Sequence, residues 1–390
     1  MYVIEFSCVG MGELGAAAIY SLEARCSASK NTAQQEKMRT MIADRLIDVH
    51  PKHRFDEARL WHYLRDHLID FPETARLTQF RGGQSNPTFL IATPDRNYVL
   101  RKQPPGELLP SAHAVDREYT VQAALKDTPV PVVAMRHFCA DPAIVGTPFY
   151  VMDYVPGRVF ADPALRDIAH HERHSIYTAF AETLAMLHEV DFRAVGLGDF
   201  GRTEGYAARQ VKRWAEQYAA SQTSEIAAMD KLLAWLGANA PDSDEAAITH
   251  GDYKLNNLMF EVDAPHVIAI LDWELSTLGH PLADLGYVCM GYHIPASLPV
   301  LGGLGGLDLA ALGIPSEAET VATYCRRAGR ETAGDLTFFI ALAFFRYAAI
   351  VQGVYKRSLQ GNAADARAHL AGEAAIVLAE EGWRIAAAAG

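Results

Sequence analysis

Features that would define several other protein classes are scarce in this sequence of 390 residues. Its five cysteines are scattered without a Cys-x-x-Cys pair, which argues against a disulfide framework or a zinc site and fits a reducing cytoplasm. The net charge of −12 argues against a nucleic-acid-binding protein, which normally has a basic face. The apolar stretch 336–354 is interrupted by Arg346 and Gln352, so it predicts a buried core helix rather than a membrane span.

The order of the sequence patterns predicts an α+β protein with two lobes. Residues 1–45 are interpreted as an N-terminal extension, and the Ser, Ala, Gln and Lys content of 19–37 indicates that it is mobile. Residues 46–153 predict a small, β-rich N-lobe, and residues 154–390 predict a larger helical C-lobe, with a hinge near 153–157. Strands are expected at 76–81, 88–92, 97–101, 149–154 and 267–271, and helices at 53–70, 111–124, 174–190, 206–218 and 224–236.

The pattern His-Gly-Asp-Tyr-Lys-Leu-Asn-Asn at 250–257 predicts a phosphotransfer loop. Asp252 would orient the acceptor hydroxyl and take its proton, and Asn257 would hold Mg²⁺. Lys254 is placed to steady the transferring phosphoryl group. Further on, an apolar strand ends in Asp272, which is a suitable position for the main metal-binding carboxylate. The alternative makes Asp252 a turn former and Asp272 a helix cap, and it requires two independent turns to imitate the order of a metal site.

The strand-rich part contains a second group of candidates, which predicts a phosphate-binding region. A loop between two strands offers open backbone and polar groups at Gly82, Gly83, Gln84, Ser85 and Asn86, although the same residues taken alone could form an ordinary β-turn. The strand 97–101 is followed by Lys102, and alternation along a strand directs only one of Arg101 and Lys102 into the cleft. That basic residue could reach the nucleotide phosphates and pair with Glu118 on the next helix. The alternative is that both are solvated surface charges.

These motifs resemble the aminoglycoside phosphotransferase/choline kinase group over roughly residues 50–360. The resemblance rests on the glycine loop at 82–83, Val-Leu-Arg at 99–101, Glu118, Val-Met-Asp-Tyr-Val-Pro-Gly at 151–157, the loop at 250–257 and Leu-Asp-Trp-Glu at 271–274. A narrower similarity is to the branch that occurs beside, or fused to, acyl-CoA dehydrogenases. Gly-Gln-Ser-Asn-Pro-Thr at 83–88, Leu-Arg-Lys-Gln-Pro-Pro-Gly at 100–106 and the segment 345–357 are similar to that branch.

The resemblance implies a protein-kinase-like fold and an enzyme that uses ATP and Mg²⁺. It implies that Asp252 is the catalytic base, that Asn257 and Asp272 are Mg²⁺ ligands, and that Arg101 contacts phosphate in place of the usual Lys. The segment that would bind adenine through its backbone contains Met152, Asp153 and Val155.

Two further residues of the site are predicted to be structural, since His250 can hydrogen-bond the loop backbone and Asp284 can anchor the loop. Trp273-Glu274 and the short segment from Leu275 to Asp284 leave no room for a long protein-substrate loop, so they favour a small acceptor.

The acceptor is expected to be a hydroxyacyl-CoA or a hydroxy acid. Arg346 lies amid Phe344, Phe345 and Tyr347, an arrangement that suits an acyl chain with an anionic end better than a polyamine. The branch resemblance agrees, and it makes an acyl-CoA dehydrogenase a candidate partner in the same pathway. Three alternatives stay open: an aminoglycoside or choline-type kinase, a catalytically inactive nucleotide-binding scaffold, and a purely structural role for Arg346 and the aromatic residues.

Overall fold

The computed structural model describes residues 46–81, 86–106, 114–243, 245–298, 301–360 and 370–389. The predicted extension at 1–45 lies outside these residues, and so do four of the predicted phosphate-loop residues: Gly82, Gly83, Gln84 and Ser85.

The N-terminal part of the chain is built on a six-stranded antiparallel sheet in the order β1-β2-β3-β4-β6-β5. Its strands are β1 (Leu46–Ile47), β2 (Arg76–Phe80), β3 (Thr88–Ala92), β4 (Asn97–Lys102), β5 (Met135–Cys139) and β6 (Phe149–Asp153). Three helices accompany them: α1 (Glu57–His67), α2 (Val115–Leu125) and the short α3 (Pro142–Val145). The lead-in helix and four strands agree with the sequence expectation, whereas β1, β5 and α3 were not predicted.

Alternation along β4 separates its side chains into two sets. Tyr98 and Leu100 pack into a core with α1 residues such as Leu60, and Lys102 lies on the same face. Val99 and Arg101 point the other way and line the cleft beneath the sheet. Because side chains alternate across a strand, the apolar pattern of β4 fixes which basic residue enters the cleft.

The C-terminal part is mainly helical and carries two small two-stranded sheets. Its helices are α4 (His170–His188), α5 (Tyr206–Ser221), α6 (Ala227–Ala238), α7 (Pro281–His293), α8 (Leu309–Leu312), α9 (Glu317–Arg327), α10 (Thr337–Leu359) and α11 (Ala371–Ala388). Its strands are β7 (Ala247–Thr249), β8 (Leu258–Phe260), β9 (Val267–Ile270) and β10 (Thr277–Gly279), paired as β7–β10 and β8–β9. The two sheets hold the loops that carry Asp252 and Asp272.

The apolar helix α10 is the central helix of this part and packs against α5, α7 and α11. By length and composition it is the one helix among the described residues that could cross a membrane, but 67% of its most apolar window is buried inside the protein. The expectation of a core helix at 336–354 is therefore confirmed. Gly382 of α11 allows close packing, since a Cβ there would lie 2.7 Å from Cβ of Phe344.

Candidate active site

The loop that follows β7 is anchored by Asp284, which lies near the start of α7. Asp284 Oδ2 accepts the backbone N–H of His250 at 2.6 Å, and Oδ1 accepts that of Gly251 at 2.8 Å. Gly251 has φ +81°, and a Cβ there would lie 2.7 Å from the carbonyl oxygen of Leu275, so only glycine fits without strain. The prediction that Asp284 anchors this loop is confirmed.

His250 joins the two loops of the site. Its Nε2 lies 2.9 Å from the carbonyl oxygen of Leu271, and its Nδ1 lies 3.3 Å from the backbone nitrogen of Asp252. The backbone N–H of Leu271 also donates to the carbonyl of Asn257 at 2.8 Å. These bonds bring the end of β9, and therefore Asp272, beside the loop, which agrees with a structural role for His250.

The carboxylate of Asp252 receives three hydrogen-bond donors. Tyr287 Oη donates to Oδ1 at 2.7 Å. Lys254 Nζ lies 2.9 Å from Oδ2, and Asn257 Nδ2 donates to the same oxygen at 3.0 Å. The sequence analysis brings Asp252, Lys254 and Asn257 together correctly but misses Tyr287. Tyr287 follows Asp284 by three residues on one helix, and this spacing is the signal that could have identified it.

Asn257 and Asp272 offer oxygen atoms suited to Mg²⁺. The amide nitrogen of Asn257 donates to Asp252 twice, which leaves its carbonyl oxygen as the candidate ligand atom. Asp272 has φ +63° and ψ +60°, a left-handed conformation that is costly for a residue other than glycine. Its side chain makes no capping hydrogen bond to the following turn and is 35% exposed, so the helix-cap alternative is not supported.

Arg101 bridges two carboxylates in the cleft. Its Nε lies 3.0 Å from Glu118 Oε2, and its Nη2 donates to Asp272 Oδ1 at 2.7 Å. Burial alone would lower the pKa of Arg101, but Glu118, Tyr150 and Asp272 raise it above its ordinary value, so the guanidinium stays charged. The expected partner of the cleft residue, Glu118, is therefore the observed one.

Glu118 is 1% exposed and has two further partners, Tyr150 Oη at 2.9 Å and Asn86 Nδ2 at 2.7 Å. Asn86 was predicted to present a polar group to phosphate, but it is fully buried in the structure. Its side-chain amide donates to Glu118, so any contribution of Asn86 to the site acts through Glu118 and Arg101.

Lys102 lies on the opposite face of the sheet from the cleft. It is 4% exposed, its Nζ donates to the carbonyl of Val145, and the ammonium lies 5.1 Å from the ring centre of Phe55. Burial lowers the pKa of Lys102 to about 8. The alternative in which both basic residues are solvated surface charges is therefore wrong.

A cleft of about 740 Å³, here called the interlobe cleft, runs between the sheet and the helical part. Residues from both sides line it, among them Val99, Arg101, Met152, Asp153, Tyr154, Val155, Asn257 and Asp272. The predicted adenine-binding segment and the predicted metal ligands therefore share one cavity. Asp153 is also paired with Arg136, so its carboxylate is already engaged.

A second cavity of about 320 Å³, here called the loop cavity, opens beside Lys254 on the helical side. Its aromatic lining includes Phe160, Tyr177, Phe180, Tyr253, Tyr287, Tyr292 and Tyr347. Among its described lining residues there is no Asp or Glu, and Lys254 is the charged member. Residues 253–256 of the catalytic loop line the cavity directly, and so does Tyr287, the hydrogen-bond partner of Asp252.

The prediction that Phe344 and Phe345 form an acceptor wall is wrong. Both are fully buried in the core, because α10 is apolar around most of its circumference and has neighbours on most sides. The side chain of Arg346 points towards Trp214 and Tyr287: its guanidinium carbon lies 5.3 Å from the ring centre of Trp214 and 5.7 Å from that of Tyr287. Arg346 is not among the described residues that line the loop cavity.

A β-sheet above a helical part, a cleft between them and an Asp-Asn-Asp set with a buried Arg–Glu pair define a kinase-like phosphotransferase. Residues 76–324 match the phosphotransferase enzyme family, and the chain belongs to that family. The predicted resemblance, the α+β kinase-like fold and the assignment as a small-molecule phosphotransferase are confirmed.

Three comparisons place the chain within the family. Mouse acyl-CoA dehydrogenase family member 10 is 45% identical over 80% of this chain and 29% of its own length. Mouse member 11 is 43% identical over 89% of this chain and 45% of its own length, so the chain spans less than half of each. A solved structure from Ralstonia eutropha, provisionally named an aminoglycoside phosphotransferase, is 44% identical, with a TM-score of 0.79 over 86% of this chain and 99% of that one.

Proposed function

We propose that the chain transfers the γ-phosphoryl group of ATP, with Mg²⁺, to the hydroxyl of a hydroxyacyl-CoA or a free hydroxy acid in the cytoplasm. The general reaction follows from family membership, whereas the acceptor is inferred. The observation that carries the acceptor class is the lining of the loop cavity, which is aromatic and apolar and has no carboxylate among its described residues.

The residues of the catalytic loop supply the proton chemistry. The acceptor oxygen forms the new P–O bond, the bond between the γ-phosphorus and the β,γ-bridging oxygen breaks to release ADP, and the hydroxyl proton passes to Asp252. Lys254 Nζ lies 2.9 Å from Asp252 Oδ2, and its positive charge would stabilise the oxygens of the phosphoryl group during transfer. Asn257 and Asp272 would hold Mg²⁺, which supplies neutralisation of phosphate charge when it is bound.

Nucleotide binding is assigned to the interlobe cleft. Arg101 lines this cleft together with Arg81 and Arg158, and its pairing with Glu118 keeps the Arg101 guanidinium in place. The peptide groups of Met152–Val155 lie along the same cleft and are proposed to bind adenine. The side chain of Asp153 is not proposed to bind adenine, because its carboxylate is paired with Arg136.

An acyl chain suits the loop cavity because the polar groups of its aromatic side chains are largely used within the protein. Tyr177 and Tyr253 donate their hydroxyls to the backbone carbonyls of Pro163 and Phe180, and so present ring surface to the cavity. A polycationic aminoglycoside would need carboxylates, which the described lining lacks. The similarity to acyl-CoA dehydrogenase family members supports an acyl acceptor and a dehydrogenase partner in the same pathway.

Arg346 was predicted to hold the anionic end of the acceptor. This role remains a prediction. An acceptor in the loop cavity would have to extend past Tyr287 to reach the Arg346 guanidinium. It is tested by Arg346→Ala, which should raise the KM of the acceptor and leave the KM of ATP unchanged.

The test is a series of acceptors assayed with Mg·ATP by ADP release. Hydroxyacyl-CoAs and hydroxy acids of increasing length should show a kcat/KM that rises by roughly fourfold per CH₂, which corresponds to about 0.8 kcal/mol of burial, until the cavity is full. Asp252→Asn is the control for turnover at this site. Efficient phosphorylation of kanamycin or choline, with no turnover of any hydroxyacyl compound, would restore the antibiotic or choline kinase alternative.

A nucleotide-binding scaffold without catalysis is the second alternative. The complete set of Asp252, Asn257 and Asp272 counts against it. Tight Mg·ATP binding without ADP release for any acceptor, in both the parent and Asp252→Asn, would favour it.

A further inference from the structure

Tyr287 is a buried phenol that contacts the catalytic loop, and it has no role in the proton transfer to Asp252 itself. It is 9% exposed and donates to Asp252 Oδ1 at 2.7 Å, across 35 residues of sequence. It also lines the loop cavity, so one side chain contacts both the carboxylate that takes the proton and the space assigned to the acceptor.

The helix that carries Tyr287 already controls the loop at another point. Asp284, one turn earlier on α7, holds the backbone N–H groups of His250 and Gly251. Residues three apart on a helix lie on neighbouring positions of its surface. Helix α7 therefore fixes the loop twice, through the backbone with Asp284 and through the Asp252 side chain with Tyr287.

The ring of Tyr287 is held by its own neighbours. Tyr347 packs against it edge-on, with ring centres 6.2 Å apart and an angle of 64° between the ring planes. The guanidinium of Arg346 lies over it at 5.7 Å, within the range of a cation–π contact. Among the described residues, Arg346 has no ion-pair or hydrogen-bond partner, and its buried Nε lacks an acceptor. Its described contacts are with Tyr287 and Trp214.

The phenol is a permanent donor under ordinary conditions. Burial, together with the negative charge of Asp252, raises the pKa of Tyr287 well above its usual value. An ionised phenol cannot donate, and this shift extends the range in which the hydroxyl stays protonated to a pH above that of an ordinary tyrosine.

We propose that Tyr287 is a positioning residue for phosphoryl transfer: its hydroxyl fixes the rotation of the Asp252 carboxylate, so that the acceptor hydroxyl meets a defined lone pair at the mouth of the loop cavity. Lys254 and Asn257 hold the other oxygen, Oδ2. A carboxylate held at both oxygens cannot turn, and loss of such orientation lowers the rate of a proton transfer that depends on alignment. Arg346 stabilises the position of the Tyr287 ring. The proposal rests on the assignment of Asp252 as the base.

The first test compares Tyr287→Phe with Tyr218→Phe. The Tyr218 hydroxyl is buried without a hydrogen-bond partner among the described residues and lies outside the loop cavity, so its removal controls for loss of a phenol. Tyr287→Phe should lower kcat about 10- to 100-fold, which is the range for one hydrogen bond to a charged group. The KM of ATP and the KM of the acceptor should stay within about twofold, and Tyr218→Phe should match the parent. The assay uses the hydroxyacyl-CoA series and, as an acceptor-independent probe, hydrolysis of Mg·ATP by water.

A second measurement does not depend on turnover. In protein labelled with ¹³C at aspartate carboxyl carbons, the resonance lost in Asp252→Asn reports on Asp252. Tyr287→Phe should move it, and Tyr218→Phe should not. Arg346→Met should broaden or shift it in the same direction as Tyr287→Phe, but less.

Three results would overturn the proposal. An unchanged Asp252 resonance together with an unchanged kcat in Tyr287→Phe would show that the hydroxyl does not position the carboxylate. A fall in melting temperature with both KM values raised would show a general structural role. If Asp252→Asn retains turnover while Tyr287→Phe still moves the resonance, the base assignment fails although the contact is real, so the two failures are distinguishable.

Discussion

Replacing Asp284 by Asn tests how far the reaction depends on the anchoring of the catalytic loop. The parent carboxylate accepts two backbone N–H groups, at 2.6 and 2.8 Å, and is 2% exposed. An Asn side chain of the same shape has one carbonyl oxygen and one NH₂ group. One of the two N–H groups would therefore face another donor in a place that water does not reach.

The expected cost is about 2–4 kcal/mol, because one charge-assisted hydrogen bond is lost and one buried N–H is left without an acceptor. Part of this cost is relieved if the loop moves away from α7, and such a shift would displace Asp252 from the acceptor. A misplacement of about 1 Å can lower a rate about 100-fold. We therefore expect Asp284→Asn to lower kcat about 100-fold, to bind Mg·ADP within a fewfold of the parent, and to melt several degrees lower.

The assays are ADP release, Mg·ADP titration and thermal unfolding, with Asp335→Asn as the control. Asp335 also accepts a backbone N–H, that of Thr337 at 2.8 Å, but at an exposed position away from the loop. A kcat and a melting temperature equal to those of the parent would refute the reasoning, because they would mean that the buried bonds to Asp284 contribute nothing.

The pH dependence of stability gives an independent check on the same residue. Burial would raise the pKa of Asp284, but His188, His250 and the backbone N–H of Gly251 lower it below its ordinary value of 3.8. A group whose pKa is lower in the folded state adds stability above its unfolded pKa and loses it as the pH falls through the folded value. The parent should therefore lose this contribution only below about pH 3.8, and Asp284→Asn should lack that component of the acid transition.

Three further predictions concern the remaining site residues and one buried histidine. Asp252→Asn should bind nucleotide like the parent but lose turnover; ATP titration and ADP release measure the two, and retained turnover would count against its role as the base. Asp272→Ala should lose the Mg²⁺ dependence of nucleotide affinity; titration of ATP with and without Mg²⁺ measures this, and an unchanged dependence would count against its role as a metal ligand. Arg101→Ala should raise the KM of ATP more than Lys102→Ala does, because only Arg101 faces the cleft; the reverse order would refute this assignment. Burial lowers the pKa of His280 from 6.5 to about 4, so the stability that neutral His280 contributes should fall as the pH drops from 6.5 towards 4. His280→Asn should flatten that part of a plot of melting temperature against pH, and an unchanged plot would contradict this prediction.

Local sequence patterns predicted the parts of the site that lie close together in the chain. Asp252, Lys254 and Asn257 share one loop, and a strand-to-turn pattern marked Asp272. Strand alternation predicted that only one of Arg101 and Lys102 lies in the cleft. Lys102 shares its face of the strand with the core residues Tyr98 and Leu100, so Arg101 is the residue in the cleft.

Contacts between distant segments could not be predicted in the same way. The bond from Tyr287 to Asp252 depends on how α7 packs against the loop: the spacing from Asp284 places Tyr287 on the same side of the helix, but it does not show that this side meets Asp252. Phe344 and Phe345 were assigned to a pocket because aromatic residues beside an Arg suit both a pocket and a core, and the neighbours of α10 decide between the two. Strand β5 contains Arg136 and His137, so its pairing with β6 rather than its own composition defines it.

The ion pair of Arg101 with Asp272 joins segments 171 residues apart and occupies Oδ1 of the carboxylate that is proposed to hold Mg²⁺. A divalent ion that binds without nucleotide would have to compete with the Arg101 guanidinium for Oδ1 of Asp272. Phosphate groups arriving with the ion would give Arg101 a new anionic partner and release Asp272. We therefore expect metal and nucleotide to load as a pair, with weak Mg²⁺ affinity in the empty protein that rises in Arg101→Ala. Arginine suits this exchange better than lysine, because its planar fork can contact Glu118 with one nitrogen while another changes partners.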